Sequence, residues 1–382
     1  MKRYIFTLIF ILLSGCKSTD NSHVDIRPHL LDFAFESGND VAIETPEEIF
    51  QLGENANQYV TQLLFTHPDP VKRMKQIVRD MFDRTDFNLL YDGKANTVAN
   101  DTFNNKMANC LSLSILTYAL ASKAHLDVEF QEIEIPEYWT RRKGRSLLNG
   151  HINLRISPPE KAGTLHLTKR SVVVDFDPFS PKKVLPAKEV GKARVLAMFY
   201  NNKGADAMLD GDYNTAYAYL KESILTDASF QASIINLGIL YRMTNHYDWA
   251  ENTYKQVLAL DPGNLTTLEN LAVLYNMRGE TKKYQKIMTE VDARRRSNPY
   301  FHYIRGEENR ESGAYRIAIS HYQRAIRLEN DKHEFYFGLA KSYAALGDVT
   351  ASEKYLRRAK RFAPFDDEKS RYQSKIDLLS KL

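Results

Sequence analysis

The C-terminal half of the chain repeats a pattern of side-chain sizes every 34 residues, and this period constrains the fold more than any other feature. Five windows begin at Ala197, Gln231, Leu265, Pro299 and His333 and follow one another without a gap. Because short side chains at a fixed spacing let two antiparallel helices pack closely, each window predicts one helix pair of a solenoid. Mostly small residues fill the eighth, twentieth and twenty-seventh positions: Gly204, Gly238, Ala272, Gly306 and Ala340; Ala216, Ala250, Tyr284, Ala318 and Ser352; Ser223, Val257, Val291, Ala325 and Ala359.

Larger residues complete the repeat. The seventh and eleventh positions carry Leu237 with Tyr241, Leu271 with Tyr275, and Leu339 with Tyr343, and the turns carry Gly211, Gly279, Gly313 and Gly347. These residues resemble the tetratricopeptide repeat family over residues 197–366. The resemblance implies an all-α tetratricopeptide repeat solenoid whose first helices line a concave groove for a polypeptide partner or substrate. A capping helix is predicted over residues 367–382, from Tyr372, Ile376, Leu379 and Leu382 at helical spacing.

Some windows depart from this pattern. Lys203 and Arg305 replace the apolar residue at the seventh position. Pro262 and Pro364 close the second and fifth windows, whereas the third ends in three arginines within residues 293–296. We therefore expect repeats one, three and four to be weaker than repeats two and five.

An asparagine recurs at the sixth position of three successive windows, as Asn202, Asn236 and Asn270. An asparagine amide can both donate to and accept from one peptide unit. Such a ladder could hold the main chain of an extended peptide, as similar ladders do in some members of the family that the repeats resemble. The alternative is that asparagine simply suits a polar helix face.

The first residues are typical of an export signal, because Lys2 and Arg3 precede an apolar run over residues 4–13 that is too short to span a bilayer. Residues 13–16 read Leu-Ser-Gly-Cys and resemble the lipobox of bacterial lipoproteins. The resemblance implies a signal peptide over residues 1–15, lipidation of Cys16 and a lipidated tether over residues 16–45. An ordinary secretory peptide or an uncleaved helix is the alternative.

Lys17 stands where an inner-membrane lipoprotein of this kind usually carries aspartate. The resemblance therefore implies a cell-envelope protein, anchored in the outer membrane through lipidated Cys16 and facing the periplasm. Composition agrees with a soluble body of more than one unit, since 43% of the 382 residues are hydrophobic and 26% are charged. The formal net charge is only +4, and it does not indicate a nucleic-acid partner.

Residues 46–196 are predicted to form a separate domain, in which Cys110 begins a helix. Asn109 is a good N-cap, and the apolar residues after Cys110 indicate a buried helix. The amides and positive end of a helix stabilise a thiolate, which makes a cysteine nucleophilic. The alternative is a buried structural cysteine.

Two predicted strands follow this helix. His151 begins an alternating segment, 151–156, and Asp175 follows a run of three valines. A carboxylate at the end of a neighbouring strand can orient an imidazole that serves a thiol. The order of Cys110, His151 and Asp175 resembles the transglutaminase-like superfamily, which is papain-like in its chemistry. The resemblance implies an α+β transglutaminase-like domain with Cys110 as nucleophile, His151 as general base and Asp175 as the orienting acid.

Asp177 competes for the third role, because Pro178 follows it and members of that superfamily often carry proline after the aspartate. Gln131 and Trp139 are guesses for an oxyanion-hole partner, and the basic run over residues 140–145 looks like a solvated loop. One cysteine in this domain and scattered histidines do not make a zinc site, and we expect no metal and no cofactor.

Two hypotheses of function follow from the sequence. In the first, a membrane-anchored periplasmic protein uses the cysteine domain on peptide or protein amides while the repeats bind the substrate or a partner. In the second, the cysteine domain is degenerate and the protein is a non-catalytic tetratricopeptide scaffold for assembling envelope proteins.

Overall fold

The computed structural model describes residues 30–35, 38, 40–82, 90–91, 95–143, 145–148, 150–159, 171–176 and 185–380. The N-terminal part combines helices with short strands. Its elements are α1 (Pro46–Phe50), α2 (Glu54–Thr66), α3 (Pro70–Phe82), β1 (Leu90–Tyr91), α4 (Ala99–Asn105), β2 (Met107–Ala108), α5 (Cys110–Lys123), β3 (Asp127–Ile133), β4 (Trp139–Arg142), β5 (Arg145–Leu148), β6 (Ile152–Ser157), β7 (Val172–Val174) and β8 (Ala187–Val190).

The C-terminal half is a run of antiparallel helix pairs, so the predicted solenoid is confirmed. The five pairs and a final helix are α6 (Lys192–Asp210) with α7 (Tyr213–Thr226), α8 (Gln231–Met243) with α9 (Tyr247–Leu260), α10 (Leu265–Met277) with α11 (Thr281–Arg295), α12 (Pro299–Glu311) with α13 (Tyr315–Leu328), α14 (His333–Ala345) with α15 (Val349–Phe362), and α16 (Asp366–Leu379). None of the helices within the described ranges is long and apolar enough to cross a membrane.

Tyrosine rings explain why small residues recur in this solenoid. Tyr322 of α13 is fully buried, and a Cβ atom added to Gly338 of α14 would lie 2.4 Å from its ring. Tyr254 of α9 presses on Gly238 of α8 in the same way, at 2.5 Å. A side chain at either glycine would collide with a ring that has no room to move in a close-packed core. The small residue and the large ring therefore fix how closely the helices approach.

The core of the N-terminal part lies between one helix, α5, and the four-stranded sheet. Strands β7, β6, β3 and β8 form an antiparallel sheet in that order, and α5 packs against β3 and β6. Ile115, Leu116 and Leu120 of α5 are fully buried, as are Leu154 and Ile156 of β6. This apolar layer holds the start of α5, and with it Cys110, at a fixed place relative to the sheet.

The core of the N-terminal part continues into the first repeat. Val195, Phe199 and Tyr200 of α6 belong to the same buried cluster as α5. The amide of Asn96 also donates a 3.0 Å hydrogen bond to the carbonyl oxygen of Phe199. The boundary predicted between residues 196 and 197 thus falls inside α6, because α6 serves both the sheet domain and the solenoid.

A segment predicted to be tether is also part of the fold. Residues 30–35 were assigned to the tether over 16–45, but Leu31 and Phe35 are buried against the solenoid. Phe35 stacks on Tyr217 with ring centroids 4.5 Å apart, and the Leu31 amide donates to the Tyr241 hydroxyl at 3.2 Å. Apolar contact with α7 and α8 fixes this segment. Cys16 and residues 1–29 lie outside the described residues.

We expect Phe35→Ala to lower the free energy of unfolding of the solenoid by about 3 kcal/mol, because the substitution empties a buried ring site. Phe33 is the matched control, since its side chain is 70% exposed two residues away. Urea unfolding followed by circular dichroism measures both variants. Equal losses for Phe35→Ala and Phe33→Ala would contradict the packing described here.

Candidate functional site

A β-hairpin from the N-terminal part lies against the first helices of the repeats. It consists of β4 and β5, which pair with each other from Trp139–Leu148 to Arg142–Arg145. With the two residues before β4 we call it the groove hairpin, residues 137–143 and 145–148. It contacts α6, α8, α10 and α12, the first helices of four successive pairs. We call this face of the solenoid, formed by the first helices, the groove, and part of it holds the hairpin.

Glu137 of the groove hairpin is held by four hydrogen bonds from the repeats. Its carboxylate accepts two hydrogen bonds from the guanidinium of Arg295, at 2.8 Å from Nε and 2.7 Å from Nη2. The hydroxyl of Thr266 donates to the same carboxylate at 3.2 Å. The side-chain amide of Asn298 donates to the main-chain carbonyl oxygen of Glu137 at 2.7 Å. The groove thus binds both the charge and the backbone of one residue, and a bidentate guanidinium contact is a strong hydrogen-bonding arrangement.

Arg295 connects this contact to the solenoid. It is 2% exposed and also donates to Glu269 of α10 at 2.7 Å. Burial lowers the pKa of Arg295, but the hydrogen bonds and charges of Glu137 and Glu269 outweigh burial and hold the pKa above its ordinary value. The charge is therefore kept in the interior by two carboxylates, as a buried cation requires.

Trp139 fills an apolar site beside that guanidinium. The ring is 6% exposed, packs with Phe301 and Ile304 of α12, and lies 4.9 Å from the guanidinium carbon of Arg295. A guanidinium over an indole face gains a cation–π attraction when both are desolvated. Trp139 was a guess for the oxyanion hole, but it lies in the repeat groove because it is the apolar anchor of the hairpin.

The turn of the groove hairpin meets acidic side chains. Arg142 pairs with Asp206 of α6 at 2.8 Å, and Lys143 pairs with Asp210. Burial raises the pKa of Asp206, and the charge and hydrogen bond of Arg142 only partly oppose this. The run over residues 140–145 is predicted to be a solvated loop, but Thr140–Arg142 belong to β4, and Arg142 and Lys143 meet carboxylates of α6.

The predicted asparagine ladder makes contacts within the solenoid. Asn202, Asn236 and Asn270 are half-buried on α6, α8 and α10. Asn236 donates to Asn201 at 2.8 Å, and Asn270 accepts from Arg242 at 3.3 Å while donating to the carbonyl of Thr266 at 2.9 Å. Two of the three amides already bind neighbouring groups of the solenoid, and a role as a peptide clamp stays a prediction.

Cys110 is the first residue of α5 and is half-buried. The side chain of Asn109 accepts a hydrogen bond from the amide of Ser112 at 2.8 Å, which caps the helix as predicted. The Asn109 amide donates to the carbonyl of Ala95 at 2.9 Å. Cap and loop together fix the start of the helix, where the backbone amides favour negative charge.

His151 and Asp175 lie together at one end of the sheet. The Nε2 atom of His151 is 3.0 Å from Oδ2 of Asp175, and the imidazole side chain is 1% exposed. The strand register explains this contact: Leu154 faces Val174, so Asp175 continues β7 opposite Asn153, two residues from His151. Gln131, the other residue suggested for the oxyanion hole, lies on β3 opposite Asn153 and is buried. Asp177 and Pro178 lie outside the described residues.

The described histidine, cysteine and acidic side chains include no group of three placed to hold a metal ion. A shallow cavity of about 440 Å³ lies beside the second half of α5, lined by Tyr118, Ser122 and Lys192 among others. It is at the other end of α5 from Cys110, since Tyr118 stands eight residues further along the helix. It therefore does not belong to the Cys110 region.

Models of the tetratricopeptide repeat match residues 233–266 and 303–367. The C-terminal half of the chain therefore contains tetratricopeptide repeats. The chain is similar to the photosystem I assembly protein Ycf3 of Prochlorococcus marinus strain NATL1A, with 32% identity over 113 residues, 29% of this chain and 64% of that protein. It thus spans slightly under two thirds of this relative.

The chain is also similar to a second Ycf3 protein and to a solved tetratricopeptide protein. Ycf3 of Rippkaea orientalis is 28% identical over 151 residues, 38% of this chain and 73% of that protein. A solved thermophilic tetratricopeptide protein of Thermus thermophilus aligns with a TM-score of 0.31 and 19% identity over 47% of this chain and 97% of that one.

Proposed function

We propose that this protein is a polypeptide-binding scaffold, whose partner contacts the concave groove of the tetratricopeptide repeats. The observation that carries the proposal is the binding of Glu137 and Trp139. In this contact the groove holds a polypeptide segment by its charge, an aromatic ring and a main-chain carbonyl. A surface that satisfies all three at once suits a peptide ligand better than a small apolar molecule.

Two further elements belong to this proposal. Two similar proteins are named as assembly proteins of photosystem I, which makes assembly of a protein complex the class of task we favour. The sequence Leu-Ser-Gly-Cys over residues 13–16 supports a lipid anchor at Cys16, and Lys17 after it favours the periplasmic face of the outer membrane. The anchor would hold the scaffold at a membrane while its groove gathers a partner.

A photocrosslinking amino acid at Met277 is expected to form adducts with other polypeptides in cells that contain the protein. Met277 lies on α10 at a helical spacing of seven from Asn270, and its side chain is 52% exposed. Ile317 on α13 is the control, because it is 53% exposed but belongs to a second helix of a pair. We expect adducts at Met277 to exceed those at Ile317 several-fold. Adducts of equal yield at both positions would contradict groove binding.

A second function is favoured by one observation, the contact between His151 and Asp175. We propose that Cys110, His151 and Asp175 act together on an amide of a peptide or protein, as the resemblance to the transglutaminase-like superfamily implies. The thiolate of Cys110 would add to the amide carbonyl, and the amine would leave with a proton from His151. Water or a second amine would then break the thioester, giving an acid or a new amide.

Alkylation tests the second function in a Cys16→Ser variant, in which Cys110 is the remaining one of two cysteines. We expect iodoacetamide to react with Cys110 at pH 7 at least about tenfold faster than in a His151→Ala variant, because the imidazole maintains the thiolate. Asp175→Asn is expected to slow the reaction as well. His125→Asn is the control, since His125 is exposed just beyond the far end of α5. Unchanged rates in His151→Ala and Asp175→Asn would exclude catalysis by this group.

A further inference from the structure

The segment that occupies the groove indicates what else the groove can bind. We propose that the groove hairpin is an intramolecular ligand and that the external partner is a polypeptide segment of the same chemistry. Such a segment carries a carboxylate, an aromatic ring two residues later and cations beyond it, and it binds by replacing the hairpin. This inference rests on the proposed scaffold function and specifies its partner.

Recognition of the carboxylate is built into the repeats. Arg295 is fixed by Glu269 of α10 independently of the hairpin, at 2.7 Å. Its Nε and Nη2 atoms both donate to Glu137. If the hairpin leaves, Arg295 keeps one carboxylate and loses the other, and a cation that is 2% exposed then needs a new anion. The repeats therefore select a carboxylate at this place.

The aromatic site follows the carboxylate along the chain, at the point where β4 begins. Trp139 stands two residues after Glu137 and enters the space between Arg295, Phe301 and Ile304. Residues two apart on an extended strand project to the same side. A partner in extended conformation can therefore present its carboxylate and its aromatic ring to these two sites together, with the carbonyl of its acidic residue bound by Asn298.

The far end of the groove selects cations. Asp206 and Asp210 of α6 meet Arg142 and Lys143, which stand three and four residues after Trp139. The pair of Lys143 and Asp210 is mostly exposed, so it contributes little to affinity but opposes an acidic segment in this position. The groove thus has an apolar, cationic end at α11 and α12 and an anionic end at α6.

The groove hairpin is suited to be exchanged. Among the described strands, β4 and β5 pair with each other and do not extend the four-stranded sheet. A two-stranded hairpin by itself is at most marginally stable, so this one depends on its contacts with the repeats. Glu137 and Trp139 make several of these contacts, close to one end of the hairpin. A competitor that takes these two sites removes the contacts with Arg295, Phe301 and Ile304, and leaves Arg142 paired with Asp206 and Ser146 bound to Glu308.

Replacement of the hairpin by a partner would also affect the four-stranded sheet. The groove hairpin is the connection from β3 to β6, and Leu148 at the end of β5 stands three residues before His151. The amide of Ile133 donates to the carbonyl of His151 at 3.0 Å. Release of the hairpin would therefore free the chain between this hydrogen bond and Leu148, on the side of His151 only.

A synthetic peptide of residues 135–149 with a fluorescent label tests the inference by anisotropy. The peptide should bind the full chain weakly, because the attached hairpin competes at an effective concentration in the millimolar range. In a Glu137→Ala, Trp139→Ala variant, whose own hairpin is weakened, we expect the Kd of the peptide to fall at least about tenfold. If that variant does not fold, judged by circular dichroism, Glu137→Gln alone should show the same direction with a smaller change.

Controls identify the site. Adding Arg295→Ala to the hairpin variant should abolish peptide binding, whereas adding Arg294→Ala should not, because Arg294 is a half-exposed neighbour paired with Glu290. A peptide with alanine at the positions of Glu137 and Trp139 should not bind. Equal affinity of the parent and the folded hairpin variants for the peptide would overturn the inference. If that happens while Met277 still forms selective adducts, the scaffold function stands and only the partner chemistry is wrong.

Discussion

The arrangement of the whole molecule depends on the ion pairs of one buried group, the guanidinium of Arg295. It lies at the end of α11, where it pairs with Glu269 of the solenoid and Glu137 of the N-terminal part, and it lies against Trp139. A charge in the interior is tolerated only with partners, and the two carboxylates here come from different parts of the chain. Arg295 of the third repeat therefore has both of its carboxylate partners only while the hairpin lies in the groove.

Two other contacts join the N-terminal part to the solenoid. The core around α5 extends into α6, and residues 30–35 pack on α7 and α8. The solenoid is thus attached to the N-terminal part at its first repeats and again, through the groove hairpin, at its third and fourth repeats. If a partner binds the groove as proposed, its binding is coupled to the position of the hairpin.

The sequence predicted the parts of the fold that depend on local periodicity. The 34-residue period identified the helix pairs, and Asn109 identified the start of α5, because cap and spacing are local signals. The contacts between distant segments were not predictable in the same way. The departures from the repeat pattern nevertheless carried a signal: Lys203 pairs with Glu44, and the arginines that replace the proline ending include Arg295. Two positions expected to weaken repeats are therefore positions where the N-terminal part docks, whereas Arg305 pairs with Glu269 and Glu308 inside the solenoid.

The central claim is that Trp139 is held in the groove by Arg295. Replacing Trp249 by phenylalanine leaves Trp139 as the remaining one of two tryptophans, and quenching of its fluorescence by acrylamide then measures its exposure. The account predicts weak quenching in this background, strong quenching once Arg295→Ala is added, and no increase with Arg294→Ala. Quenching of Trp139 as strong as that of a free tryptophan before Arg295 is changed would contradict the account.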